Sequence, residues 1–140
     1  MTENFKIIGS FIKDMSSETP DVQTFLFARE KISGYQLNID INSKVVKNGI
    51  IEVNIVLKFT DKPEILKKSF FEIVYTSVVK VDEKVKDKKE MEKIILCDVP
   101  NKIYPSLEKI FINLLTDSGY PGIKFEKKVD FNELYKQKSN

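Results

Sequence analysis

The sequence predicts an α+β fold, with strands through its first two thirds and helices after them. Two observations carry this. Between residues 35 and 81 apolar and polar side chains alternate with period two, and from Glu90 onward the apolar spacing changes to three and four. A third observation bears on organisation: no internal repeat and no second domain are visible in the 140 residues, so a single unit over 1–140 is expected.

The elements follow in order. Phe5 to Met15 is rich in β-branched and aromatic residues and reads as extended. Ser16 to Gly34 shows no clean period, yet it carries the apolar cluster Val22, Phe25, Leu26 and Phe27. A long connection of that kind is either functional or an ordinary crossover tucked onto its own core. Tyr35, Leu37, Ile39 and Ile41 then alternate with Gln36, Asn38, Asp40 and Asn42, the pattern of a half-buried antiparallel strand. Asn48-Gly49 favours a tight turn. Ile51, Val53, Ile55, Leu57 and Phe59 form the apolar face of the next strand, which should pair with the previous one as a hairpin.

Asp61 to Glu64 is a turn around Pro63, which has no N–H for a ladder. Ser69 to Val81 is a strand with apolar side chains on both parities, so it should be covered on both faces, in part from outside its own fold. Lys80 to Lys93 is dense in charge of mixed sign and reads as a solvated linker entering a helix. Met91, Ile94 and Ile95 begin a helical period, which Pro100 is expected to interrupt. Ile103, Leu107, Ile110, Phe111, Leu114 and Leu115 give one wide apolar face, and Pro105 is expected in the first turn of that helix. Gly119 is placed to end it, and Gly119 to Gly122 is a turn. Asp130 can cap a last short helix, with Glu133 set for reciprocal capping and Phe131, Leu134 and Tyr135 as its stripe.

Composition excludes several functions. There is no histidine, hence no histidine base, nucleophile partner or metal ligand. The single cysteine, Cys97, cannot form an intrachain disulfide or build a zinc site alone, and reads as a small buried apolar residue. Net charge is only +2, too small to argue for nucleic acid, and no apolar run approaches the ~20 residues of a membrane span. Nothing at the start resembles a signal peptide. These features predict a soluble cytoplasmic protein with no catalytic residues, no metal and no cofactor. A small enzyme or ligand-binding α+β domain would need convergent polar groups, and none is apparent.

Several motifs now fall in a familiar order. Pro100-Asn101-Lys102-Ile103-Tyr104-Pro105 opens a helix, Gly119-Tyr120-Pro121 closes it, and Val129 to Tyr135 reads Val-Asp-Phe-Asn-Glu-Leu-Tyr. Ile12 to Pro20 reads Ile-Lys-Asp-Met-Ser-Ser-Glu-Thr-Pro. Together these resemble the SecB family of protein-export chaperones over nearly the whole chain.

The resemblance implies a four-stranded antiparallel Greek-key sheet with two to three helices packed on one face, assembled as a dimer of dimers. It implies an ATP-independent holdase that binds unfolded preproteins in apolar grooves and hands them to the motor SecA. Carried over by position, Asp14, Glu18, Phe70 and Glu72 would contact SecA, and Val22, Phe25, Leu26, Phe27 and Tyr35 would contact clients. Ile103, Leu107, Phe111, Val74 and Val78 would form subunit interfaces. The chain departs from the family in its slightly basic balance, its basic tail from Lys136, its lack of a tryptophan before the second strand, and Glu108 where the family usually has arginine. A SecB-like chaperone dedicated to one client, such as an antitoxin, is the alternative.

Overall fold

The computed structural model describes residues 4–125 and 129–139. Four strands, β1 (Phe5–Glu18), β2 (Gln36–Lys47), β3 (Ile50–Thr60) and β4 (Phe70–Val81), form one antiparallel sheet in the order β1-β4-β3-β2. Two hairpins join β2, β3 and β4. The long β1–β2 connection carries β1 across to lie beside β4, which is Greek-key topology. Gly49, with φ +77°, supplies the left-handed residue that the β2–β3 turn needs.

The odd-numbered residues of β3 and β4 face the helices. Val53, Ile55, Leu57, Phe71 and Ile73 are fully buried there with Leu107, Phe111 and Leu115 of the long helix α3 (Val99–Asp117). Phe59 meets Phe71 and Phe111, with ring centroids 6.4 Å away in each case. The other face of the sheet is outer, and among the described residues its even-numbered side chains on β3 and β4 are mostly half-exposed.

Three expectations are corrected. Residues Val22–Lys31 form a helix, α1, rather than a connection without regular structure. Asp21 starts it, its carboxylate accepting from the Thr24 N–H at 2.7 Å. The period is hidden because Val22, Leu26 and Phe27 lie on the exposed side, opposite buried Thr24 and Ala28. Secondly, Pro100 does not break the helical path, which runs from α2 (Lys88–Lys93) through a π turn (Ile94–Asp98) into α3. Proline clashes with the carbonyl four residues back. The wider turn just before Pro100, with the Val99 N–H bonded to the Ile94 carbonyl, takes up that misfit. Thirdly, Pro105 lies inside α3 rather than in its first turn. It is exposed, away from the sheet, so only an outward-facing bond is lost.

Gly119 ends α3 as expected. The Tyr120 N–H bonds to the Leu115 carbonyl at 2.9 Å and the Gly119 N–H to the Thr116 carbonyl at 3.1 Å, a Schellman closure with Gly119 at φ +106°. Asp130 caps α4 (Phe131–Ser139), accepting from the N–H groups of Asn132 and Glu133.

Candidate functional site: an acidic sheet face and an apolar groove

The outer sheet face is built from the even-numbered side chains of β3 and β4 and their partners. A polar chain ties all four strands. Thr76 donates to Asn54 at 2.6 Å, and Asn54 donates to Asn42 and to Glu52, each at 2.9 Å. Lys13 closes the chain with an ion pair to Glu52 at 2.9 Å. Lys13 is the extra residue of a β-bulge between Ile12 and Asp14, which frees it to reach across β4 to β3. The hydrogen bond from Asn54, then that from Lys13, holds the Glu52 carboxyl below its usual range.

At one end of this face the expected SecA-contact residues gather. Asp14 is opposite Val74, Glu18 opposite Phe70, and Ser16 opposite Glu72. The acids of β1 therefore lie diagonally on either side of Glu72, on the same face as Phe70. Residues far apart in sequence are brought together by one strand register. Lys58 of β3 is opposite Glu72 on its other side, so the patch is not purely acidic.

The expected client residues separate into two groups. Val22, Leu26 and Phe27 stay exposed on α1 at 68%, 52% and 37%. Phe25 turns inward, its ring 5.4 Å from Tyr120. Tyr35 is buried, and its hydroxyl accepts from the Ser69 N–H at 3.0 Å; burial raises its pKa. Ser69, Thr19 and Tyr120 share a hydroxyl cluster at 2.7–3.1 Å beside it.

Tyr35 also lines a groove of about 1340 Å³ between β2 and the segment leading into α4. Leu37, Ile39, Phe59, Phe125 and Leu134 make its apolar wall, and Lys124, Asp130 and Glu133 its polar side. Sequence reasoning missed these residues as a site. The signal was present in the alternation of Leu37 and Ile39, but nothing in it distinguishes a groove wall from a core face.

The residues expected at a subunit interface divide in two. Ile103, Leu107 and Phe111 are 7%, 0% and 0% exposed within a single subunit, so they belong to its own core. An amphipathic helix beside an uncovered sheet buries its stripe there first. Val74 and Val78 do stay half-exposed on the outer face. On edge strand β1, Ile8, Phe11, Ile12 and Met15 are left open, each 42–56% exposed, and at the far end of β2 Val45 and Val46 are open at 69% and 55%.

Among the described residues, no group of three potential metal ligands comes together and no helix is long and apolar enough to cross a membrane. The model of the family described as preprotein translocase subunit SecB matches residues 1–140. The chain belongs to the SecB family. A SecB relative in Pelagibacter ubique is 80% identical over 140 residues, covering all of both chains. The protein-export protein SecB of Mesorhizobium japonicum is 23% identical over 137 residues, covering 96% of this chain and 79% of that one. That of Roseobacter denitrificans is 27% identical over 146 residues, covering 94% and 78%. A solved structure of a Mycobacterium tuberculosis SecB-like chaperone, in complex with a ChAD peptide from the HigA1 antitoxin, superposes with a TM-score of 0.67. It covers 90% of this chain and 91% of that one at 9% identity, which shows the shared fold. Members of the SecB family are protein-export chaperones, and the chain is not an enzyme.

Proposed function

We propose that the chain holds unfolded preproteins on the apolar groove beside β2 and the exposed side of α1, and delivers them to SecA through the acidic end of the outer face. The groove carries the first part of this reading. It is open, about 1340 Å³ in volume, and walled by aromatic and aliphatic side chains at one edge of the sheet. Burial of a client's apolar segments there is worth ~25 cal/mol per Å², offset by the ordering of a flexible chain. Several such sites acting together recover affinity by avidity, with no need for ATP. The register that sets Asp14, Glu18, Phe70 and Glu72 side by side supports docking of a basic partner segment. The exposed apolar row on β1 supports self-association, and a dimer of dimers in the cytoplasm is the assembly proposed.

The test is light scattering of the purified protein, followed by suppression of aggregation of a denatured substrate. A monomer that leaves aggregation unchanged refutes the holding reading. Glu72→Lys should weaken SecA binding at least tenfold while aggregation suppression persists; unchanged SecA affinity refutes the docking surface.

A second reading, a chaperone dedicated to one client, is favoured by the net charge of +2 and by Lys58 opposite Glu72, both of which weaken attraction to a basic partner. A single dominant partner recovered from the native cytoplasm would support it.

A further inference from the structure

We propose that the tip of the β2–β3 hairpin docks on an anionic lipid surface: Val45 and Val46 enter the headgroup boundary, and a row of lysines across the same end of the sheet holds the lipid phosphates. This is independent of the client and SecA readings, and it rests the chain on a bilayer without spanning it.

Three observations carry it. First, the tip is apolar and open. Val45 and Val46 are 69% and 55% exposed at the end of β2, just before the turn at Asn48-Gly49. Val46 is the extra residue of the bulge between Val45 and Lys47, so it stands out of the ladder. Two adjacent valines left this open contribute little to their own core. Secondly, lysines frame them. Lys44 and Lys47 flank the pair, and both are exposed. The register sets Lys47 opposite Ile50, Ile50 opposite Lys80, and Lys80 opposite Lys6. Directly opposed residues share a face, so Lys47, Lys80 and Lys6 stand in one row across all four strands. At ~4.8 Å between strands the row is about 14 Å wide. Thirdly, among the described residues the acids near this end are already engaged. Glu52, opposite Lys44, is ion-paired with Lys13 at 2.9 Å. Glu90 accepts from Asn4 at 2.7 Å, and Asp82 accepts from the Lys84 N–H at 2.9 Å. The loop that carries Asp82 and Glu83 also presents exposed Lys84 and Lys86. It is held beside the tip, because the Val81 N–H bonds to the Gly49 carbonyl at 2.9 Å.

An apolar wedge and a cationic frame suit a phosphate-covered apolar layer. The valines leave water, and the lysines meet headgroup charge at the same depth; neither signal alone anchors firmly. A lysine close to an anionic leaflet strengthens binding about fivefold. Charge also sets the orientation. The other end of the outer face carries Asp14, Glu18 and Glu72, which an anionic surface repels. Glu72 and Lys80 both lie on β4, about 26 Å apart along the strand. With the lysine row on the lipid, the acidic end points away and stays open. Lysines beside exposed valines also guard a sheet edge against pairing, and that role alone predicts no lipid affinity.

The test is flotation of the purified full chain with phosphatidylcholine vesicles, with or without about one third phosphatidylglycerol. Binding to the anionic vesicles should be at least tenfold tighter, and raised salt should weaken it. Lys44→Glu with Lys47→Glu should lower that affinity at least tenfold. Val45→Ser with Val46→Ser should lower it at least threefold. Melting temperature and aggregation suppression should stay unchanged in both. The chain has no tryptophan, so Val46→Trp places a single indole at the tip. Its emission should shift to the blue on anionic vesicles and be quenched by brominated lipid. Equal binding to both kinds of vesicle overturns the proposal. So does binding that needs the lysines but not the valines, with no blue shift, because that is diffuse attraction without docking. Polyglutamate that binds as tightly as the anionic vesicles assigns the tip to an acidic protein and overturns the lipid surface. None of these outcomes bears on client holding, which aggregation suppression scores separately.

Discussion

Replacing Gly119 with alanine tests the contact that joins the end of α3 to α1, the helix proposed as part of the client surface. The residue has φ +106°, a conformation that costs an L-residue about 1–2 kcal/mol. A Cβ built there would lie 2.8 Å from Phe25 Cε1, closer than real Cβ contacts come. The Phe25 ring has little room to give, because it packs on Tyr120 at 5.4 Å. Overpacking of this kind costs about 1–3 kcal/mol, so Gly119→Ala should destabilise by about 2–5 kcal/mol in total. Urea unfolding at one fixed protein concentration measures it. The two contributions separate in a double-mutant cycle. In a Phe25→Ala background the clash is gone and only the backbone term of about 1–2 kcal/mol should remain. The same cost in both backgrounds refutes the steric argument, and a cost under about 0.5 kcal/mol in the parent chain refutes both. Because Phe25 anchors α1, the single variant should also weaken aggregation suppression.

Three further outcomes are expected. Leu107→Ala should destabilise the subunit by about 2–5 kcal/mol, since Leu107 is fully buried in its own core; a change in oligomer mass without loss of stability would return this residue to an interface. Val22→Ser with Leu26→Ser should leave stability within about 0.5 kcal/mol, as both side chains are more than half exposed. Aggregation suppression should fall several-fold, and an unchanged assay would remove α1 from the client surface. Tyr104 has a buried hydroxyl with no partner among the described residues, and desolvation, then the nearby Glu108 carboxylate, pushes its pKa up to about 12. The folded state keeps that proton when the unfolded chain has released it, so this group lowers stability as pH rises from about 10 to about 12. Tyr104→Phe should be neutral or stabilising near pH 7 and should flatten the alkaline limb of a melting-temperature profile. A clear loss of stability at pH 7 would show that the hydroxyl is satisfied.

Alternation at Leu37, Ile39 and Ile41, and at Ile51 through Phe59, was enough to place β2 and β3 and to say which side faces inward, because period two admits one strand orientation per buried face. The amphipathic stripe from Ile103 to Leu115 was equally legible as a helix. What that stripe covers was not, since the same spacing serves a core and a subunit interface. Helix α1 escaped notice because apolar residues on both its sides erase the period by which helices are recognised. Pro100 misled because a π turn is a backbone adjustment that no side-chain pattern announces.

Sequence by itself determined the class of fold, the order of its strands and of the helices after them, the caps at Asp130 and Gly119, and family membership through motifs carried along the whole chain. These are local: each depends on neighbouring side chains and the backbone they favour. The tertiary structure decided what depends on residues distant in the chain. The β1–β4 register set Asp14 and Glu18 beside Phe70 and Glu72. The packing of residues 122–125 and 129–134 against β2 opened a groove rather than closing a core. Sheet order left β2 at an edge. Strand partners and register are settled by how the whole apolar surface is buried at once, and no single stretch of sequence carries that information.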